Sequence, residues 1–175
     1  MKLMQKAVGV MILLSASGAL MAQSAGSAYI KTSVNPGRAG VFVDGKYVGP
    51  AGNFGMARSY PVAPGKHEVK LVDPRFEEHT ASVEVAQGKT TKLEHTMKPL
   101  PAPKGPFGGL RTPVSEKYAA VYINDHYYGH AGEFNNPTQK LMLPVGEYDV
   151  RVEPPAGSVI KQHVKLEEGK TVLVK

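Results

Sequence analysis

Apolar positions along the chain recur with a period of two. Ala39, Val41 and Val43 alternate with other residues, and Ala119, Val121 and Ile123 do the same. Successive side chains on a strand point to opposite faces, so each trio lines one face of a short strand. Phe42 and Tyr122 fall on the other face. Val69 with Leu71, and Val150 with Val152, continue the alternation and are expected to pack against these trios from another strand. No segment beyond residue 22 sustains a helical period. Turn residues separate the strands. Asp44-Gly45 divides Val41–Val43 from Lys46–Val48. That dipeptide suits a two-residue hairpin, where both turn positions need positive φ. Pro64-Gly65 precedes a strand from His67 to Val72, and Gln87-Gly88-Lys89 joins Val83–Val85 to Lys92-Leu93. Short strands with turns at close intervals predict a small antiparallel sandwich.

The pattern occurs twice. GVFVDGKYVGPAGNF from Gly40 matches AVYINDHYYGHAGEF from Ala120 at an offset of 80. Val41/Val121, Tyr47/Tyr127, Gly49/Gly129, Ala51/Ala131, Gly52/Gly132 and Phe54/Phe134 are identical. At an offset of 81, Gly65 answers Gly146, Val69 answers Val150, and Gly88-Lys89-Thr90 answers Gly169-Lys170-Thr171. One extra residue between Phe134 and Leu143 accounts for the change of offset. Asn124-Asp125 stands where the first copy has Asp44-Gly45. A non-glycine at the second position predicts a looser turn. The expected architecture is all-β: two tandem sandwiches over residues 28–98 and 117–175, joined by segment 99–116. This segment is dense in Pro and Gly and reads as a semi-extended linker. The alternative is an ordered Pro-rich strand docked through Phe107 and Leu110.

The stretch from Asn35 to Gly49 resembles the PEGA-domain pattern, carried by Pro36, Ala39, Val41, Val43, Asp44, Gly45 and Gly49, with Pro64-Gly65 and Val69 following. The second copy departs from it at Asn124-Asp125 and at Pro144-Val145-Gly146. Both copies carry Ala-Gly-x-Phe where the family often has Thr-Pro. The resemblance implies a small β-sandwich module on exported or surface proteins, used in binding or envelope assembly. It implies no catalytic residues. Asp44, Gly45, Gly49, Gly65, Asn124, Gly129 and Gly146 are expected to serve the turns.

The first 22 residues read as an address. Lys2 and Lys6 precede the apolar run Ala7–Leu14, small residues follow, and Ala22 is a plausible cleavage position. The alternative, a retained anchor, would need about 20 unbroken apolar residues, and Ser15, Ser17 and Gly18 interrupt this run. Cleavage predicts a periplasmic or secreted protein with no membrane span after removal of the signal. The chain has no Cys, so disulfides, iron–sulfur clusters and thiol nucleophiles are excluded. Its formal charge is +6, but no two Lys or Arg are adjacent. Nucleic-acid binders cluster such charge, so no nucleic-acid partner is expected.

Candidate chemistry is sparse. His126 and His130 are four residues apart beside Asp125 and Glu133, a weak metal candidate. On an extended strand that spacing is about 13 Å, too far for one ion. The two Gly-Lys-Thr triplets lack the earlier glycine of a phosphate loop. No Gly-x-Ser-x-Gly elbow occurs. Neither an enzyme nor a cofactor is expected. The aromatic residues are more suggestive. Tyr118, Tyr122, Tyr127 and Tyr128 crowd the second copy, and Phe42 and Tyr47 take two of the same places in the first. Exposed, they would suit an envelope protein, or a glycan or peptidoglycan on which Tyr122, Tyr127 and Tyr128 stack. Buried, they would cover a sheet or join the copies. The expected function is therefore a non-catalytic exported binding or structural module, its partner an envelope protein or polysaccharide.

Overall fold

The computed structural model describes residues 27–174, so the expected signal segment lies outside the described residues. The first repeat contains β1 (Ala28–Asn35), β2 (Gly40–Val43), β3 (Lys46–Pro50), β4 (Tyr60–Val62), β5 (Gly65–Val72), β6 (His79–Val85) and β7 (Thr90–Thr96). They form a three-stranded sheet ordered β4-β1-β7 and a four-stranded sheet ordered β3-β2-β5-β6. The second repeat contains β8 (Phe107–Arg111), β9 (Ala120–Ile123), β10 (His126–His130), β11 (Leu141–Pro144), β12 (Gly146–Glu153), β13 (Ile160–Leu166) and β14 (Thr171–Leu173). Its sheets, β11-β8-β14 and β10-β9-β12-β13, repeat the same order strand for strand.

The alternating apolar positions meet inside each sandwich. Ile30, Val41, Val69, Leu71 and Val85 form the first core, and Leu110, Val121, Ile123, Val150, Val152 and Leu166 the second. One buried polar group recurs in both. Thr32 donates its hydroxyl to the Ala51 carbonyl at 2.6 Å, and Thr112 donates to Ala131 at 3.2 Å. The bonds tie β1, and the residue just after β8, each to a single 3₁₀ turn, and each satisfies a hydroxyl that would otherwise be costly to bury.

Three expectations are corrected. The sheets are not purely antiparallel, because β1 runs parallel to β7 and β8 parallel to β14. No hairpin joins these pairs, so no short turn imposes antiparallel pairing. Segment 99–116 is not linker throughout. Residues 107–111 are β8, the central strand of a sheet, and Leu110 is fully buried. Gly108 and Gly109 serve packing there. A Cβ on Gly108 would lie 2.9 Å from the Glu167 carbonyl oxygen, and one on Gly109 2.8 Å from Lys140 Cδ. The second repeat therefore begins at Phe107 rather than near Lys117.

The Asn124-Asp125 turn is not looser. Asp44 and Gly45 have φ of 51° and 78°, and Asn124 and Asp125 match them at 49° and 63°. Asn124 Oδ1 accepts the Asp149 N–H at 2.9 Å, as Asp44 Oδ1 accepts the Glu68 N–H at 3.0 Å. The side-chain acceptor at the first position holds the turn, so the second copy keeps its geometry without glycine. Asp125 nevertheless bears the cost of a left-handed conformation, about 1 kcal/mol. Asp125→Gly is expected to stabilise the protein by about 0.5 kcal/mol, since glycine's extra freedom in the unfolded chain offsets part of the relief. Thermal unfolding followed by circular dichroism checks this; an unchanged or lower midpoint would contradict it.

Candidate functional site

The outward faces of the two four-stranded sheets meet at hairpins β2–β3 and β9–β10. Tyr127 sits at the centre of the contact, 5% exposed. Its ring centroid lies 5.1 Å from Tyr47, 5.4 Å from Phe42 in a perpendicular arrangement, and 5.9 Å from Tyr122. Tyr47 and Tyr127 are equivalent residues of the two repeats, and their hydroxyls approach to 3.3 Å. Burial pushes both phenols well above their ordinary value, so both stay neutral. Gly40 makes the approach possible. A Cβ there would lie 2.5 Å from Tyr127 Cε1.

A charged contact braces the same junction. Asp73 is almost fully buried and accepts hydrogen bonds from Arg38 Nε at 3.0 Å and from Arg75 Nε at 2.8 Å. Arg75 reaches across to the second repeat, with Nη2 at 3.6 Å from Glu133 Oε2. Glu133 in turn accepts the His130 backbone N–H at 3.3 Å. Burial alone would raise the Asp73 carboxyl, but hydrogen bonds from the Arg75 side chain and backbone, with the charges of Arg75 and Arg38, hold it below 3.8. The second repeat has Pro154 at the equivalent place, so this brace occurs on one side only.

The structure thus divides the aromatic candidates. Phe42, Tyr47, Tyr122 and Tyr127 come together, but as the seam between repeats rather than an open platform. Tyr128 points the other way and packs on the second core. The expectation that Tyr122, Tyr127 and Tyr128 form one stacking face is corrected: Tyr122 and Tyr127 belong to the seam and Tyr128 to the second core. His126 is exposed at one end of β10, while His130 is largely buried at the other. The His130 Nδ1 lies 3.1 Å from the Lys117 carbonyl. Among the described residues no group of three or more His, Asp or Glu could hold a metal ion. Gly45, Gly49, Gly65, Gly129 and Gly146 all have positive φ, but Gly49 and Gly129 lie within β3 and β10 beside a bulge rather than in a turn. At Gly129 space also matters, because a Cβ would lie 2.8 Å from Glu133 Oε1.

A cleft of about 420 Å³ opens beside the seam. One wall is β3 with its turn, residues 45–49. The other is the outward face of the second repeat, including Tyr118, Tyr122, Arg151, Glu153 and Pro154. The Arg151 guanidinium lies 3.9 Å from the Tyr122 ring centroid and is bonded to Glu153. Lys117 Nζ sits 5.3 Å from the Tyr118 centroid. Cations therefore already lie over rings that a sugar would stack on. Arg151 and Glu153 were absent from the sequence-derived candidates. Their only signal is that they alternate with buried Val150 and Val152, which puts them on the same outward face as Tyr122.

With this geometry in place, comparison with known proteins is informative. Residues 27–101 match the family model of the PEGA domain, and the first repeat is a PEGA domain. The second repeat lies outside the matched residues but shares the strand order. No curated protein and no solved structure matches the chain. No helix among the described residues is long and apolar enough to cross a membrane.

Two outcomes test the junction. Tyr127→Ala is expected to cost about 3 kcal/mol. Gly40→Ala should cost about 2 kcal/mol alone and become nearly neutral in the Tyr127→Ala background. Additive costs in a denaturant double-mutant cycle would refute the contact. For Asp73, the folded value lies below the unfolded one. Its stabilisation is thus complete above the unfolded pKa of 3.8 and is lost as pH falls through the folded pKa. Asp73→Asn should lower stability at neutral pH by about 1–2 kcal/mol, discounted because both arginines are nearly half-exposed. It should also flatten the decline below about pH 4. A parallel, undiminished acid decline in both proteins would contradict this.

Proposed function

We propose that this protein is a non-catalytic, exported binding module whose partner is a cell-envelope protein. The single observation that carries the reading is the cleft between the repeats, which both repeats wall and neither could form alone. A PEGA domain in the first repeat supports a binding role outside the cytoplasm. The non-catalytic reading rests on the lining of the cleft. It includes one carboxylate, Glu153, which Arg151 engages, and no His, Ser or Thr side chain that could serve with it as nucleophile and base. A protein is favoured over a sugar polymer because Tyr127 is buried and Arg151 covers one face of Tyr122. What remains accessible is a mixed polar and aromatic wall of the kind that protein interfaces use.

The test is affinity capture from an envelope extract on immobilised protein beginning at Gln23. Tyr122→Ala and Arg151→Ala serve as controls, and retained material is identified by mass spectrometry. The expected result is a small set of envelope proteins retained by the wild type and reduced about tenfold on both variants. Retention of purified envelope polysaccharide in place of protein, or equal retention by all three baits, would overturn the reading.

A further inference from the structure

The cleft has one feature that says how a partner would enter it. Residues 45–49 line it consecutively. Successive side chains on a strand point to opposite faces. β3 carries a bulge at Val48, between Tyr47 and Gly49, yet Tyr47 turns to the seam and Val48 to the first core, so a wall that takes in both includes the strand's edge. β3 is the edge of the sheet β3-β2-β5-β6 and pairs with β2 alone. Among the described residues no strand pairs with its other side. An edge of this kind accepts another strand.

We infer that β3 is a strand-addition site, and that an extended peptide segment of the partner pairs with it. The inference rests on the protein-binding reading given above and names the form the partner takes. The five residues of β3 span about 17 Å at roughly 3.3 Å each. The floor beneath an added strand is Tyr118, Tyr122 and Pro154, which suits an apolar side chain. Lys46, at the start of β3, is exposed and has no ion-pair partner among the described residues. Arg151, by contrast, is engaged by Glu153 and lies 3.6 Å from Asp125. The groove therefore favours a peptide with an acidic residue opposite Lys46 and apolar residues at alternate positions beyond it.

The pseudo-equivalent cleft on the other side of the seam does not offer the same edge. It measures about 290 Å³ and takes only residues 125–127 from β10 and its turn. The Tyr127 it includes is the buried ring of the seam, and the Lys70–Glu78 ion pair, at 2.6 Å, occupies its wall.

The experiment pans a random dodecamer peptide library on the full protein beginning at Gln23. Recovered peptides are then bound in solution, and amide hydrogen exchange is recorded with and without them. The expected result is peptides alternating apolar and other residues with one acidic position. They should slow exchange in residues 46–49 and bind Lys46→Glu about tenfold more weakly. N-methylation at alternate peptide positions should abolish binding, a readout that side-chain contact alone would not produce. Because Lys46 is exposed, the substitution leaves the fold intact, and an unchanged melting temperature verifies that. Recovery of no peptide above background, protection confined to other strands, or indifference to N-methylation would overturn the inference. If envelope proteins are still captured by Lys46→Glu at wild-type levels, the binding-module reading stands and the β3 groove falls.

Discussion

The packing of Tyr127 against Gly40 is the contact on which the arrangement of this molecule turns. Without a side chain at position 40, the ring of one repeat lies directly on the backbone of the other. Phe42, Tyr47 and Tyr122 then close around it. Because Tyr47 and Tyr127 are equivalent, the seam resembles the self-complementary interface of a two-fold dimer, written within a single chain. The Arg75–Glu133 brace and the two unequal clefts lie beside this contact.

Each repeat is small for an independent core, and the chain has no cysteine with which to staple it. The apolar residues do form two separate cores, each closed by its own three- and four-stranded sheets. The seam adds a third cluster, comprising Val72, Ala120 and Tyr127 with the neighbouring rings. It buries aromatic area that would otherwise face water on both outward sheet faces. Packing between the copies thus supplies what covalent cross-links supply in small disulfide-bonded domains.

Much of the fold was legible in the sequence because its determinants are local. The Asp44-Gly45 turn, the alternation Val41–Val43 and the repeat at Val121–Ile123 each state their geometry within a few residues. β8 was harder to read. Phe107–Arg111 contains two glycines and no β-branched residue, and it is a strand because β11 and β14 pair with it from both sides. The candidate site divided along the same line. Which residues occupy the outward face was readable from the period of two. That Arg151 lies over Tyr122 was not, since it depends on the register of β12 against β9; that Tyr127 is covered was not, since it depends on how one sheet lies against the other. The recurrence of Tyr47 and Tyr127 beside small residues, Gly40 and Ala120, was the one sequence signal of that contact.

The parallel pairing of first and last strands has a mechanical consequence. In the first repeat β1 and β7 lie side by side over seven paired residues, and β8 and β14 repeat the arrangement. Tension along the chain draws the start of one strand and the end of its neighbour in opposite directions along their shared axis. Every hydrogen bond of the pair is then loaded in shear at once, instead of being peeled open singly from one end. A tether built of such units resists stretching until a whole strand pair gives way together, whatever hangs from its edge.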